Sequence, residues 1–276
     1  MQKEFLLKSN NNDEIQITAY GIENINTAPC VICVHGFKGF KDWGFWPFAS
    51  QYLSENGFFV LSFNFSHNGI GANPLEFTEL DKFASNSFSL EKEELELIVD
   101  SYLNDFFGKK SNNGLGVIGH SRGGAVSIFS TQKIKYDAMV LWSSIAKIDR
   151  YTERQKSEWQ EKGFLEFQNT RTKQMMRLDV SFLNDIEFNK HNSLNLEKSV
   201  KDYKNPLLIL HGEQDLTVPS KEAKQIFEWS GSSEKEIEII PKTGHTFDAQ
   251  HPFEKSNPVL DQVLEKTVKF FKKHLN

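Results

Sequence analysis

The segment best suited to nucleophilic chemistry is Gly119-His120-Ser121-Arg122-Gly123, a G-x-S-x-G pentad followed by Gly124. An apolar run at 115–118 precedes it and a helix-like run at 125–132 follows it, the setting of a sharp strand-to-helix corner that presents a serine at a helix N-terminus. Small neighbours are needed there because backbone segments crowd the nucleophile. A serine hydroxyl is a poor nucleophile near neutral pH, so it needs a base within hydrogen-bond reach and a third group to orient that base. At such a corner the expected chain order is serine, acid, histidine. Downstream, Asp215 lies in His211-Gly212-Glu213-Gln214-Asp215-Leu216-Thr217-Val218-Pro219, after the apolar run 207–210. His245 lies in Pro241-Lys242-Thr243-Gly244-His245, after the run 237–240. Ser121 as nucleophile, His245 as general base and Asp215 as orienting acid would together perform acyl transfer. Glu213 and Asp248 compete with Asp215 for the acid, and His251 competes with His245, although His251 lacks the preceding glycine and strand.

Three such groups meet only if the chain brings several strand ends to one edge. Strand-like stretches at 4–8 and 14–20 open the sequence, divided by an Asn/Asp-rich turn at 10–13. From Cys30 onward short apolar runs at 31–34, 58–63, 115–118, 138–142, 207–210 and 237–240 alternate with amphipathic segments. Nearly continuous apolar runs fit a parallel sheet covered on both faces. Leu95, Ile98, Val99, Tyr102, Leu103 and Phe106 keep helical spacing, with Ser89 as a plausible cap, and Leu260, Val263, Leu264, Val268 and Phe271 repeat the pattern. The expected architecture is α/β with a mostly parallel central sheet and helices on both faces. Nucleophile, acid and base would then all sit at carboxyl ends of parallel strands, where open α/β sheets place their chemistry. Between Trp142 and Pro206 no convincing strand is legible, and the polar segment reads as a helical insertion over 146–204 within one domain, 1–276.

Composition agrees with a folded body and narrows the partners. The chain has 276 residues, 38% of them hydrophobic and 24 of them Phe, enough for one substantial core. The net charge of −5 with mixed signs lacks the clustered Lys and Arg of a nucleic-acid surface. Charge runs such as Glu91-Lys92-Glu93-Glu94 read as solvated helix faces. No run approaches the roughly 20 apolar residues of a membrane helix, and the N-terminus lacks a signal-peptide core, so no membrane association and a cytoplasmic location are expected. Cys30 and Cys33 form a C-x-x-C, but in a strand positions i and i+3 face opposite ways, and no second cysteine pair exists to complete a zinc site. His and acidic residues are not spaced as a metal cluster, so no metal and no cofactor are expected.

The His35-Gly36-Phe37 block, the corner at Ser121, the H-G-x-x-D-x-x-V-P block from His211 to Pro219 and Gly244-His245 occur in the order found in α/β-hydrolases. The chain resembles that superfamily over nearly its whole length, the insertion excepted. Within the superfamily it is similar to the dienelactone hydrolase-like and cinnamoyl or feruloyl esterase group, where a helical insertion after the sixth strand forms a lid. The resemblance implies the Ser121–Asp215–His245 triad. It also implies an oxyanion hole made by the backbone N–H groups of Phe37 and Arg122, donors aimed at charge that develops in the transition state. His35 and His211 are expected to shape their turns, and His120 to pack aside. A serine nucleophile excludes the relatives that use Asp, such as dehalogenases and epoxide hydrolases. True dienelactone hydrolases use Cys, a departure that favours ordinary carboxylic esters here.

The expected activity is hydrolysis of small carboxylic esters, aromatic ones among them, through an acyl-enzyme on Ser121. A serine peptidase or amidase of the same fold is the alternative, favoured if lid acids such as Glu158, Glu161 or Asp185 held a substrate amino terminus. A non-catalytic binding protein is the third reading. Trp43, Phe45 and Trp46 after the oxyanion segment, and Phe164 and Phe182 in the insertion, are the candidate pocket walls. The oligomeric state is not legible.

Overall fold

Alternation of side chains along β-branched and aromatic runs sets the whole architecture. A computed structural model describes residues 1–71, 73 and 76–275. An antiparallel pair, β1 (Gln2–Lys8) and β2 (Glu14–Tyr20), leads into β3 (Cys30–Val34), α1 (Trp46–Glu55) and β4 (Phe59–Phe63). Then follow α2 (Leu80–Ala84), α3 (Phe88–Leu103), β5 (Leu115–His120), α4 (Arg122–Ser130) and β6 (Ala138–Trp142). The insertion holds α5 (Glu153–Lys162), β7 (Phe164–Gln168), β8 (Met175–Asp179) and α6 (Val180–Asn189). The chain closes with α7 (Leu196–Asp202), β9 (Leu207–Gly212), α8 (Lys221–Trp229), β10 (Lys235–Ile240) and α9 (Pro258–His274).

The eight-stranded sheet has the order β1-β2-β4-β3-β5-β6-β9-β10. Only β2 runs against its neighbours; from β4 to β10 every pairing is parallel. This is the α/β-hydrolase fold. In β3, Cys30, Ile32 and Val34 join the core beneath α3, α4 and α8, while Val31 and Cys33 join the core beneath α1 and α9. The two free, buried cysteines therefore lie on opposite faces of one strand. On the second face Trp142 stacks on Trp46 at 5.6 Å, and its indole N–H donates to Thr267 Oγ1 at 3.1 Å. Burial of such aromatics dominates core energetics, and the paired N–H removes the penalty of hiding a donor.

Three details differ from the sequence reading. The cap of α3 is Ser87, whose side chain accepts from the Leu90 N–H; Ser89 lies inside the helix and donates from its N–H and hydroxyl to Asp185. Glu91 and Glu94 are buried rather than solvated, at 4% and 2% exposure. The insertion is not purely helical, because β7 and β8 pair as an antiparallel hairpin. Only Met176 and Leu178 of β8 are buried, so its alternation is too short to stand out from a polar helix. The hairpin packs over α2, and α6 packs over α3, which seats the insertion on the edge where the parallel strands end. Among the described residues no helix is long and apolar enough to cross a membrane.

Candidate active site

Ser121 stands between β5 and α4 with φ 56° and ψ −120°, outside the regions an L-residue prefers. Three contacts hold it there. Its N–H donates to the Trp142 carbonyl at 2.9 Å, and its carbonyl accepts from Gly124 N–H at 3.1 Å and Ile145 N–H at 3.3 Å. Glycines make the corner possible. A Cβ on Gly123 would lie 2.4 Å from the carbonyl oxygens of both Val34 and His35. One on Gly36 would lie 2.9 Å from the Ser121 Cβ, so only glycine lets the loop after β3 approach the serine.

The three groups singled out by sequence converge. His245 Nε2 is 3.0 Å from Ser121 Oγ, and His245 Nδ1 is 2.7 Å from Asp215 Oδ2. The other carboxylate oxygen of Asp215 accepts the N–H groups of Thr217 and Val218, each at 2.8 Å. Burial works to raise the Asp215 pKa. Hydrogen bonds from His211, from His245 and from the Val218 N–H, together with the charge of His245, prevail and hold it well below the usual carboxylate range. Asp215 thus stays an acceptor, which directs the Nδ1 proton of His245 toward it and leaves Nε2 free to take the serine proton. Neither competing acid reaches the base. Glu213 accepts from the Lys242 N–H at 3.3 Å, and Asp248 accepts from Thr243 Oγ1 at 2.9 Å.

Four other histidines, His35, His120, His211 and His251, brace the surrounding loops. His35 bridges two loops, donating from Nδ1 to the Gly36 carbonyl at 2.9 Å and accepting the Phe65 N–H on Nε2 at 3.3 Å. Burial lowers its pKa to about 4, so it stays neutral in that role. His120 donates to the His245 carbonyl at 3.0 Å, and burial, followed by the charge of His245, lowers its pKa to about 3. His211 donates from Nε2 to the Val218 carbonyl at 2.8 Å and braces the acid loop. His251 accepts the Gly44 N–H at 3.0 Å, far from the role of a base. Among the described residues neither the Phe37 nor the Arg122 backbone N–H has an acceptor, and both residues border Ser121, as donors to an oxyanion must.

Two cavities open on opposite sides of Ser121, sharing Phe37, Ser121 and Thr217. The smaller, about 190 Å³, is walled by Phe88, Ile145, Ile148, Tyr151, Leu178 and Phe182, and Arg122 also lines it. The larger, about 370 Å³, is walled by Lys38, Trp43, Trp46, Asn169, Arg171 and His245 among others. Of the aromatics singled out by sequence, Trp43 and the largely buried Trp46 border the larger cavity and Phe182 the smaller. Phe45 borders neither: it is wholly buried, edge-on to Trp142 and His120, and serves the core. Phe164 starts β7 and lines neither cavity, because the hairpin turns it away from Ser121. Sequence reasoning missed Thr217 and Val218, although they follow Asp215 within one loop, and missed Leu178 and Arg171 because it missed the hairpin.

Arg122 contributes a buried side chain as well as a backbone N–H. Its Nε lies 2.9 Å from Glu91 Oε2, and its guanidinium is packed among the rings of Phe37, Phe88 and Phe182 at 4.4–5.2 Å. Burial raises the Glu91 pKa even against the nearby guanidinium. The larger opening elsewhere on the surface, about 820 Å³ between the end of α4 and α7, is remote from Ser121 and holds none of these groups. Among the described residues no cluster of His, Cys, Asp and Glu has the makings of a metal site.

Comparison with known proteins places this geometry in context. Residues 98–276 match the model of the prolyl oligopeptidase family. No curated protein matches the sequence. Est1E from Butyrivibrio proteoclasticus, solved with ferulic acid bound, shares 18% identity over 98% of each chain with a TM-score of 0.70. The α/β-hydrolase GrgF from Penicillium sp. shares 15% identity over 100% of this chain and 99% of its own, with a TM-score of 0.74. An esterase from Pyrococcus furiosus shares 18% identity over 99% of this chain and 91% of its own, with a TM-score of 0.66.

Proposed function

The chain belongs to the prolyl oligopeptidase family of α/β-hydrolases, and from that premise we propose that it is a serine carboxylic-ester hydrolase working through an acyl-enzyme on Ser121. The observation that carries the reading is the unbroken chain from Asp215 to His245 to Ser121, with links of 2.7 Å and 3.0 Å. Ser121 Oγ attacks the ester carbonyl while His245 Nε2 takes its proton. The tetrahedral oxyanion accepts the N–H groups of Phe37 and Arg122. The bond to the leaving oxygen breaks, and that oxygen takes the proton from His245. Water, activated by the same imidazole, then cleaves the acyl-serine bond and restores the hydroxyl.

The two cavities support a placement for the two halves of the substrate. His245 lines only the larger one, so the leaving group, which needs its proton, belongs there. The acyl group then fills the smaller, mainly apolar cavity, which suits a short or aromatic acid. Ile148, Tyr151, Leu178 and Phe182 on one side and Asn169 and Arg171 on the other come from the insertion, which supports reading 146–204 as a lid that sets substrate choice.

The family match favours a second reading, cleavage of peptide or other amide bonds. Against an aminopeptidase, no carboxylate among the described residues lines either cavity. Asp185 is engaged by Ser89, and Glu158 pairs with Arg154 on an exposed face. A panel of chromogenic esters and aminoacyl anilides tests the assignment. Ester turnover should be lost by at least about 10³-fold in Ser121→Ala, a residue whose loss disables a triad as a unit. Anilide turnover matching ester turnover selects the amidase, and retention of more than about a tenth of the activity by Ser121→Ala removes the nucleophile.

A further inference from the structure

The cations around Ser121 are distributed unevenly. On the acyl side Arg122 faces Glu91 at 2.9 Å, and Arg150 is engaged by Glu222. On the leaving-group side Lys38 and Arg171 line the cavity, and among the described residues no Asp or Glu lines it with them. What surrounds the two cations is aromatic. Lys38 Nζ lies 5.7 Å from the Phe37 ring and 5.8 Å from the Phe167 ring. The Arg171 guanidinium lies 5.6 Å from the ring of Phe40 and 5.7 Å from that of Phe77. Ring faces steer and hold a cation but leave its hydrogen-bond donors unspent. Among the described residues, Arg171 Nη2 is buried with no hydrogen-bond partner. Both line one cavity, and burial, then the charge of Arg171, lowers the Lys38 pKa. Two cations lining one cavity, with no carboxylate beside them among the described residues, form a positive site in a chain whose net charge is −5.

We propose that this cavity selects a leaving group carrying an anionic substituent, a carboxylate or a phosphate, gripped by Lys38 and Arg171. The proposal rests on the ester-hydrolase reading and names the substrate class for it: an apolar acid esterified to a hydroxylated anion. Arg171 supplies planar paired donors suited to either anion, and Lys38 a mobile point charge. Trp43 and Trp46, on the wall of the same cavity, suit an aromatic or otherwise flat body between the ester oxygen and the anion. Asn169 and Thr170 come from the same β7–β8 turn as Arg171, so the insertion carries half of the anion grip.

The test compares butyrate esters of three phenols: 4-hydroxybenzoate, its neutral primary amide, and 4-hydroxyphenylphosphonate. Wild type should show kcat/KM at least about tenfold higher for one of the charged esters than for the amide at low salt, with the gap narrowing near 0.5 M salt as screening sets in. Preference for the phosphonate assigns a phosphate, and preference for the benzoate a carboxylate. Arg171→Gln and Lys38→Asn should shrink the charged-to-neutral ratio, and Arg171→Glu should turn it toward the butyrate ester of a trimethylammonio-phenol. Equal ratios in wild type and Arg171→Gln overturn the proposal, because cations that only stabilised any departing oxygen would slow all the esters alike. Binding of the free phenols to Ser121→Ala, followed by NMR titration, separates the two readings. Arg171-dependent binding of an anionic phenol without ester turnover in wild type sinks the esterase and keeps the anion site. Ester turnover with no preference for an anionic phenol sinks the anion site and keeps the esterase.

Discussion

Asp215→Asn isolates the orienting role of the acid, and the structure fixes which way the new amide must face. Oδ1 of Asp215 accepts two backbone N–H groups, from Thr217 and Val218, at 2.8 Å each. An asparagine keeps its carbonyl oxygen on those two donors, because turning the NH2 toward them would set donors against donors. The NH2 is then forced toward His245 Nδ1, whose N–H in wild type donates a hydrogen bond to Oδ2 at 2.7 Å. The imidazole must answer as an acceptor on Nδ1 and carry its proton on Nε2, the nitrogen 3.0 Å from Ser121 Oγ. The base then presents a proton where it needs a lone pair, and the imidazolium of the transition state loses its counter-charge. A loss of about 10⁴ in kcat, the precedent for a triad locked in the wrong tautomer, corresponds to about 5 kcal/mol of barrier. The assay is single-turnover and steady-state hydrolysis of a chromogenic ester, beside Glu213→Gln and Asp248→Asn, whose acids touch Lys242 and Thr243 rather than His245 and which should stay within about fivefold of wild type. Because asparagine imposes the wrong tautomer, Asp215→Ala should be no worse than Asp215→Asn. Activity of Asp215→Asn within tenfold of wild type, or a crippling effect of Glu213→Gln or Asp248→Asn, would refute the reasoning.

Glu91→Gln should cost about 3–5 kcal/mol in urea unfolding by stranding the buried Arg122 charge, whereas Glu91→Leu combined with Arg122→Met should return most of that loss. Glu94 is buried with the Ser66 N–H on one oxygen at 2.9 Å and the Ser66 hydroxyl on the other, and burial lifts its pKa to about 7. For a carboxyl raised in this way the stabilisation is full below the unfolded value and lost as pH rises through about 7. Glu94→Gln should therefore raise stability at pH 8 by up to about 3 kcal/mol and change little at pH 4, and parallel wild-type and variant curves of Tm against pH would contradict this. Phe182→Ala should move acyl preference toward longer acids at a stability cost of about 3–5 kcal/mol, since Phe182 is buried against Trp159 and Phe88. Phe164→Ala should leave the ester profile unchanged, read on a series of p-nitrophenyl esters.

The sheet was legible because every central strand is a short, nearly continuous apolar run, and the corner at Ser121 because glycines flank a serine between a strand and a helix. Asp215 and His245 were legible because each follows such a run by a few residues, so strand order alone brings them to one edge. The hairpin was hidden because β8 buries only alternate residues over five positions and β7 buries none of its five fully. Glu91 and Glu94 were misread because charge says nothing about a partner distant in the chain: Arg122 and Ser66 make their burial tolerable. Phe45 and Phe164 show the limit of composition, since an aromatic near a site in sequence faces core or cavity according to backbone direction. Lys38 and Arg171 lie far apart in sequence, and only the folded insertion brings them to one wall.

The backbone of Ser121 carries a consequence for heat tolerance. Its φ of 56° and ψ of −120° form a conformation that costs a residue with a side chain on the order of 1–3 kcal/mol. Glycine takes such angles freely, so Ser121→Gly would trade catalysis for relief of strain and should melt at a higher temperature than wild type, even after its added freedom in the unfolded chain. Selection for endurance alone would drift toward that inert form. A serine at this corner is a standing sacrifice of robustness, and lineages that have lost the need for turnover would be expected to surrender it early.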